Sequence, residues 1–335
     1  MTTERISVAL CTYNGGAFLR EQLESIASQT FAPAELVICD DHSCDNTQAI
    51  VSDFATRASF PVRFFVNDER LGIIRNFETA IRRCSEPYIA LSDQDDVWLP
   101  GKLSLEMSLL RETEQEIDPG MPVLVHSDLE IVDERLTPLH SSLRRYQNLG
   151  HSGNRPLSTL LVQNYVTGCT ILMNRALVDV ALPLSQKALM HDWWLALCAG
   201  LYGEIRTLPA STVLYRQHGG NEVGALNFWG IVTGKVARYL MQYRAERRKS
   251  ASDFRGKIQQ AAALRAHIHG LQGGRHPVHR EMAEELDRFL AIFDPDVGMV
   301  HRLLRATMCD VRPSTKLQAC HYFMRVASWT EDASR

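Results

Sequence analysis

The chain lacks most of the signatures that identify a function at once. Its eight cysteines are scattered singly over 335 residues, with no C-x-x-C and no Cys/His cluster at zinc spacing, so neither a zinc module nor a disulfide framework is expected. Cys11, Cys39 and Cys169 lie inside apolar runs, where a free thiol packs as a small hydrophobe. That pattern fits a reducing compartment. No apolar run approaches the roughly 20 residues that span a bilayer. The first five residues lead straight into a strand pattern without a signal-peptide apolar stretch. The expected location is therefore cytoplasmic, with peripheral contact at the inner face of a membrane left open. A formal net charge of -3 provides no global basic field, which speaks against nucleic acid as a partner. The G-x-G-x-x-G fingerprint, the P-loop and the G-x-S-x-G elbow are all missing, setting aside dinucleotide enzymes, P-loop NTPases and α/β-hydrolases.

What is present is a globular composition, 45% hydrophobic and 22% charged, and a regular alternation. Apolar runs at Ile6 to Cys11, Leu36 to Cys39, Val62 to Val66, Tyr88 to Leu91 and Val123 to Ser127 alternate with helical patterns. These begin near Ala17, Thr47, Ile73 and Gly101. Strands this apolar predict a parallel sheet covered by helices, whose ligands sit beyond the carboxyl ends of the strands. Polar residues collect at those ends: Thr12-Tyr13-Asn14, Asp40-Asp41, Asn67-Asp68, Asp93 to Asp96 and His126 to Asp128. The stretch from Tyr88 to Pro100 is central. Extended geometry lets Asp93 and Asp95 face one point while Asp96 faces elsewhere. Three anions this close need a cation or fixed donors, and Mg2+ takes carboxylate oxygens while keeping positions for phosphates. The alternative is an Asp-rich cap on the helix after Pro100, although a cap needs one Asp and not three.

Further along, Ser141 to Arg155 reads as a loop bordering a site. Gly168 suggests close backbone approach, functional or steric. Asp192, beside Trp193 and Trp194, reads either as the N-cap of the helix that follows or as a base in a partly dry pocket. Tyr215 to Asn221 combines cationic, imidazole and amide groups suited to phosphate contact. Beyond Gly224 the pattern is helical throughout. Trp229, Val232, Val236, Tyr239, Leu240 and Tyr243 form one amphipathic face, and Arg244, Arg247, Arg248 and Lys249 follow. That segment either packs on the domain or meets an anionic membrane surface. Further helical patterns cover 254–271, 279–293 and 297–308, with Gly273-Gly274 and Asp294-Pro295 as breaks.

Taken together, Val8 to Gly15, Leu36 to Asp45, Leu91 to Trp98, His191 to Trp194 and Tyr215 to Asn221 make the chain resemble a family 2 glycosyltransferase of GT-A fold. The likeness is nearest to the bacterial rhamnosyltransferase-like branch that builds surface polysaccharides. It covers about residues 5 to 222. It implies an α/β GT-A catalytic domain over 1–224 and a C-terminal all-helical extension over 225–335. Carried over residue by residue, it implies that Thr12, Tyr13 and Asn14 lie at the nucleotide and that Asp41 accepts from the pyrimidine. Arg75 and Asn76 match a segment near base and ribose. Asp93 and Asp95 match the D-x-D pair, with Asp95 the direct ligand of Mg2+ or Mn2+ and His218 reaching the metal or diphosphate. Asp192 matches the catalytic base. Gly168, Cys169, His191, Trp193 and Trp194 are assigned to the acceptor or sugar pocket. The departure is His191-Asp192, where many relatives carry two acidic residues.

The implied activity is inverting transfer of a sugar, rhamnose in the nearest branch, from a dTDP- or UDP-sugar to a saccharide or lipid-linked saccharide acceptor. Two other readings stand beside it. One is a non-catalytic nucleotide-binding partner in a polysaccharide complex. The other is a nucleotidyltransferase, although Thr12 to Gly16 lacks the basic residues such enzymes use.

Overall fold

The structure, a computed structural model, describes residues 4–147, 156–219, 253–268, 278–294, 296–309, 316–327 and 329. The chain divides into two units. The first comprises Met1–Tyr146, Val166–Leu184 and Met190–Gly224, and the second Gln147–Tyr165, Ser185–Leu189 and Ala225–Arg335.

The first unit is organised on a nine-stranded sheet. Its strands are β1 (Ile6–Thr12), β2 (Glu35–Asp40), β3 (Val62–Val66), β4 (Tyr88–Ser92), β5 (Val97–Trp98), β6 (Val123–Val132), β7 (Pro138–His140), β8 (Ile171–Asn174) and β9 (Glu204–Arg216). They lie in the order β3-β2-β1-β4-β8-β6-β9-β5, with β7 on β6. Strands β3, β2, β1 and β4 are mutually parallel. β8 runs antiparallel between β4 and β6, and β6 pairs parallel with β9. Every residue of β1 and β2 is buried, which is why these strands read as continuous apolar runs: helices cover both faces. The flanking helices are α1 (Leu19–Ala27), α2 (Thr47–Ala55), α3 (Ile73–Arg83) and α4 (Lys102–Glu116), then the short α5 (Leu143–Tyr146). In the second unit α6 spans Pro156–Leu160, while α7 (Arg175–Ala181) and α8 (His191–Tyr202) return to the first. In α3, Asn76, Phe77, Ala80 and Ile81 are buried, the i, i+1, i+4, i+5 stripe of a helix lying on a sheet.

Two features depart from the strand pattern read in the sequence. His126, Ser127 and Asp128 do not end a strand: β6 runs on to Val132. It does so because β9 continues beside it through a register shift at Ser127 and Asp128. Their polar groups are spent sideways, His126 Nε2 on Thr207 (2.8 Å), Ser127 on Thr212 (2.6 Å) and Asp128 on Ser142. The second departure matters more for function. After β4 the chain turns through Asp93 to Asp96 into β5, which pairs antiparallel with the end of β9, Val97 opposite Leu214. That pairing sets the carboxylate turn beside Arg216 to His218.

The register of β9 is held from α4. Lys102 and Glu106 form an ion pair with both side chains fully buried, Nζ to Oε2 at 2.7 Å. Glu106 Oε1 also accepts from the Thr212 hydroxyl at 3.1 Å, and the Lys102 ammonium lies 4.8 Å from the centre of the Trp98 ring. Burial raises the Glu106 carboxyl above its ordinary range, against the pull of Lys102.

The second unit is helical, with helices at 253–268, Arg280–Ala291, Met299–Met308 and Lys316–Ala327 besides α6. Its core is aromatic: Phe254 meets Phe293, Tyr322 and Trp329 edge-on, and Phe289 meets Phe293 likewise. The apolar face from Trp229 to Tyr243, the basic run Arg244 to Lys249, the Gly273-Gly274 break, and Gly220 and Asn221 lie outside the described residues, as do positions 148–155 of the expected loop.

Candidate functional site

Beyond the carboxyl ends of β1, β2 and β4, three loops are tied together by side chains. Gln94 accepts from the Tyr13 amide at 2.8 Å and donates to the Tyr13 carbonyl at 3.0 Å. A Cβ on Gly15 would fall 2.4 Å from Gln94 Oε1, so a side chain there would push the Gln94 amide off the Tyr13 backbone. Asn14 takes a left-handed conformation, φ 48°, and its Oδ1 accepts from the Cys44 amide at 2.9 Å. Asn tolerates that region better than most residues. Thr12 is buried and donates to Asp40 Oδ1 at 2.6 Å. Tyr13 is exposed, with the Arg70 guanidinium 3.9 Å from its ring centre.

Asp41 is bound on most sides. It accepts from Asn67 Nδ2 (3.0 Å), the Leu71 amide (2.7 Å) and the Gly72 amide (2.8 Å). These donors take three of the roughly four acceptor positions of a carboxylate, leaving room for one more. Asn76 is buried and bonds Asn67 and the Cys39 carbonyl; it fixes the loop from beneath. Arg75 is exposed.

The acidic turn differs from the alternation expected of an extended chain. Strand β4 ends at Ser92, so the period of two stops before the carboxylates begin. Asp96, expected to face away, has ligand oxygens within 4.8 Å of both Asp93 and the Cys169 thiol. It is fully buried, and while Oδ1 accepts from the Arg216 amide at 3.2 Å, Oδ2 has no hydrogen-bond partner. Asp95 pairs with His218, Oδ2 to Nε2 at 2.8 Å. None of the three caps α4, which begins after Gly101 without a side-chain cap. Burial, then the charges of Asp95 and Asp192, push the Asp93 carboxyl up to about 8. Burial, then Asp95 and Asp93, hold Asp96 well above the carboxylate range.

Arg216 braces this turn. It is 1% exposed. Its Nε donates to the Asp95 carbonyl at 2.8 Å, Nη1 to the Glu134 carbonyl and Nη2 to Glu21 Oε2. Its guanidinium lies 4.6 Å from the centre of the Phe18 ring, which in turn stands 4.7 Å from His218. In the sequence Arg216 reads as a phosphate contact by composition alone. Its place directly at the end of an apolar strand was the only signal of burial.

Asp192 lies in the first turn of α8, whose N-cap position is Met190. Its Oδ2 accepts from the Gly168 amide at 3.0 Å and its Oδ1 from the Trp193 amide. Backbone N–H donors and the helix N-terminus both favour the carboxylate anion. A Cβ on Gly168 would fall 2.8 Å from His191 Nε2 and 3.6 Å from Asp192 Cβ, so the close approach there is real. The other expected pocket residues separate. Trp194 is fully buried, its indole N–H donating to the Ala181 carbonyl at 3.0 Å. It belongs to the core and offers no face to a sugar. His191 is also buried, stacked on Phe77 with centroids 3.8 Å apart, and burial lowers its imidazole to about 3. Cys169 is buried against Asp96. Trp193 is buried as well, at 9% exposure. Asp192 holds the Gly168 amide, and the thiol of the next residue, Cys169, lies within 4.8 Å of ligand oxygens of Asp93 and Asp96, so Asp192 neighbours the acidic turn.

The donor set fits a divalent cation. Among the described residues, carboxylate oxygens of Asp93 and Asp96 and the Cys169 thiol lie within 4.8 Å of one another. The Oδ2 of Asp96 is buried and unbonded, and the Asp95–His218 pair follows in the same turn region. Carboxylates and imidazole are ligands of hard and borderline ions.

With this geometry in view, the comparisons with known proteins are direct. Residues 7–177 match the family model described as "Glycosyl transferase family 2". An uncharacterized protein of Mycobacterium bovis is 28% identical over 215 residues, 64% of this chain and 59% of that protein. The chain thus spans about three fifths of that relative's length. A dTDP-rhamnosyl transferase of Shigella flexneri is 26% identical over 64% of this chain and 74% of its own. An Escherichia coli UDP-Glc:alpha-D-GlcNAc-diphosphoundecaprenol beta-1,3-glucosyltransferase is 24% identical over 56% of this chain and 68% of its own. Among solved structures, S. aureus TarS in complex with UDP-GlcNAc superposes with a TM-score of 0.55 at 15% identity, over 96% of this chain and 88% of that one. That likeness gives the fold, a GT-A sheet followed by helices. The chain belongs to glycosyl transferase family 2.

Proposed function

We propose that the protein is a metal-dependent inverting glycosyltransferase of surface polysaccharide synthesis, moving a sugar from a nucleoside-diphosphate donor to a saccharide or lipid-linked saccharide acceptor. Residues 1–224 would carry the reaction and 225–335 form a helical extension; the expected place of action is the cytoplasm. The observation that supports the reading is that Asp192, held on the Gly168 amide, sits next to Cys169, whose thiol lies within 4.8 Å of ligand oxygens of Asp93 and Asp96. On this reading a candidate base lies beside the candidate metal-holding turn at the carboxyl edge of the sheet.

The roles follow from the groups present. Asp41 keeps one acceptor position for a pyrimidine N3–H, and the exposed Tyr13 offers a ring face to the base. Asp95, Asp93 and Asp96, with His218 held on Asp95, would hold Mg2+ or Mn2+. Such an ion supplies Lewis-acid stabilisation of a departing diphosphate. Asp192, oriented by the Gly168 and Trp193 amides, takes the proton of the acceptor hydroxyl as it attacks the anomeric carbon. One base opposite the leaving group means single displacement with inversion. The rhamnosyl donor is favoured by the Shigella flexneri relative, whose name specifies dTDP-rhamnose chemistry.

The test is product analysis with a panel of dTDP- and UDP-sugars. Release of nucleoside diphosphate supports transfer, whereas pyrophosphate would show nucleotidyl chemistry instead. Asp192→Asn is expected to lower turnover by about 10²–10⁴ with nucleotide affinity retained. Turnover within tenfold of wild type would remove Asp192 from the role of base. Asp95→Ala is expected to abolish the Mg2+-dependent part of nucleotide binding in calorimetry.

A further inference from the structure

Most exposed apolar side chains on a soluble surface occur singly. In the helix Met299–Met308 they do not. Val300, Leu304 and Met308 recur every four residues and are 63%, 55% and 83% exposed, and Met299 at the helix start is 55% exposed. Residues four apart share one helix face. On the neighbouring helix, Lys316–Ala327, Met324 is a further exposed methionine at 58%. The opposite side of the first helix is satisfied: Arg302 turns inward to the Trp329 carbonyl, and Ala306 is buried. The outward stripe is therefore additional to what the helix needs for packing.

Its charge is one-sided. Besides the inward Arg302, the segment from Val297 to Ala327 carries Arg305, Lys316 and Arg325 within the two helices, and its link, outside the described residues, holds Arg312 and the one carboxylate, Asp310. Neither helix contains Asp or Glu, whereas the preceding helix, Arg280–Ala291, carries Glu281, Glu284, Glu285 and Asp287. Within the first helix His301 and Arg305 are exposed beside the apolar stripe.

We infer that the helices Met299–Met308 and Lys316–Ala327 form a docking surface for an anionic lipid bilayer. A short amphipathic helix with a basic border lies in the plane of the headgroups, its apolar side chains entering the acyl boundary. The surface potential of an anionic leaflet attracts the basic border. Methionine, flexible and polarizable, suits a fluid apolar partner better than a fixed one. A second copy of the chain fits less well, since a two-fold contact would set this basic border against itself.

The test is flotation of the full chain with vesicles of phosphatidylcholine alone and of phosphatidylcholine with phosphatidylglycerol. Binding is expected to the anionic vesicles only and to weaken with added salt. Leu304→Ser with Met308→Ser is expected to reduce partitioning by about tenfold or more, and Arg305→Glu by about fivefold or more. Leu304 and Met308 are exposed, so their variant should keep the wild-type melting temperature, whereas Arg305→Glu also gives up the bond from Nη1 to the Ala291 carbonyl. Equal binding to neutral vesicles, no binding, or variants that float like wild type would overturn the inference. So would a wild-type dimer that Leu304→Ser converts to monomer in sedimentation. Lipid binding is read without turnover, so its failure and that of the transferase reading are separate results.

Discussion

Asp93 offers a sharp test of how this site balances stability against binding. Burial and the charges of Asp95 and Asp192 raise its carboxyl to about 8, against about 3.9 in an unfolded chain. Between those values the folded protein holds a proton that the unfolded chain releases. Stability therefore falls as pH rises through the window from about 4 to about 8, at no more than about 1.4 kcal/mol per pH unit. Below it both states are protonated and the effect vanishes. At pH 7 the cost of the acidic group is about 4 kcal/mol as a ceiling, and about 2–4 kcal/mol after allowing for relaxation and shared charge. Asp93→Asn removes the titration while nearly keeping the shape. In EDTA, the variant is expected to be more stable than wild type at pH 7 by that amount and to match it near pH 4. Asp93 also helps to raise Asp96, so the difference curve reports the pair, the loss of the Asp93 charge together with the relief it gives Asp96. Excess Mg2+ should raise the wild-type melting temperature at pH 7 and leave the variant nearly unmoved. Urea denaturation across the pH series measures this. A wild-type-minus-variant difference that stays constant from acid to neutral pH would refute the reasoning.

Further outcomes follow from neighbouring residues. Arg216→Met strips donors from the carbonyls of Asp95 and Glu134, each worth about 1–3 kcal/mol when buried. Glu21 is half exposed and re-solvates. A total loss of about 3–5 kcal/mol is expected in urea denaturation, with weakened Mg2+-dependent nucleotide binding. Gly168→Ala puts a methyl 2.8 Å from His191 Nε2, and that ring is stacked on Phe77 and cannot swing away. It should cost about 1–3 kcal/mol and, by displacing Asp192, lower kcat up to about a hundredfold with the nucleotide dissociation constant nearly unchanged in calorimetry.

Much of the framework was legible because its signals are local. The strands β1, β2 and β4 are buried on both faces, so each reads as an apolar run, and the polar groups that follow three of them face one edge. Less was legible where a tertiary pairing decides. β5 has two residues and exists only because β9 offers a partner. The turn before it therefore follows loop geometry, and Asp96 joins Asp93 against the simple alternation. In α8 all twelve residues are buried, so no polar face marks which side chains meet the site, and both indoles, Trp193 and Trp194, belong to the packed interior. Arg216 has the composition of a phosphate ligand, and only the fold shows its fork occupied by the acidic turn. His126 to Asp128 read as a strand end because the sequence cannot show that β9 prolongs the ladder.

The β5–β9 pairing has a consequence for how the chain is made. Asp96 and the Arg216 amide that it accepts from are 120 positions apart, and so distant a link pays its loop-closure entropy before its contacts repay it. On the ribosome, the acidic turn emerges long before the strand that locks it. Until β9 docks, the carboxylates have neither the Arg216 donors nor the imidazole beside Asp95, so a nascent or truncated chain ending before His218 would lack the proposed cation and donor site. Competence for chemistry thus arrives only with the last strand of the sheet.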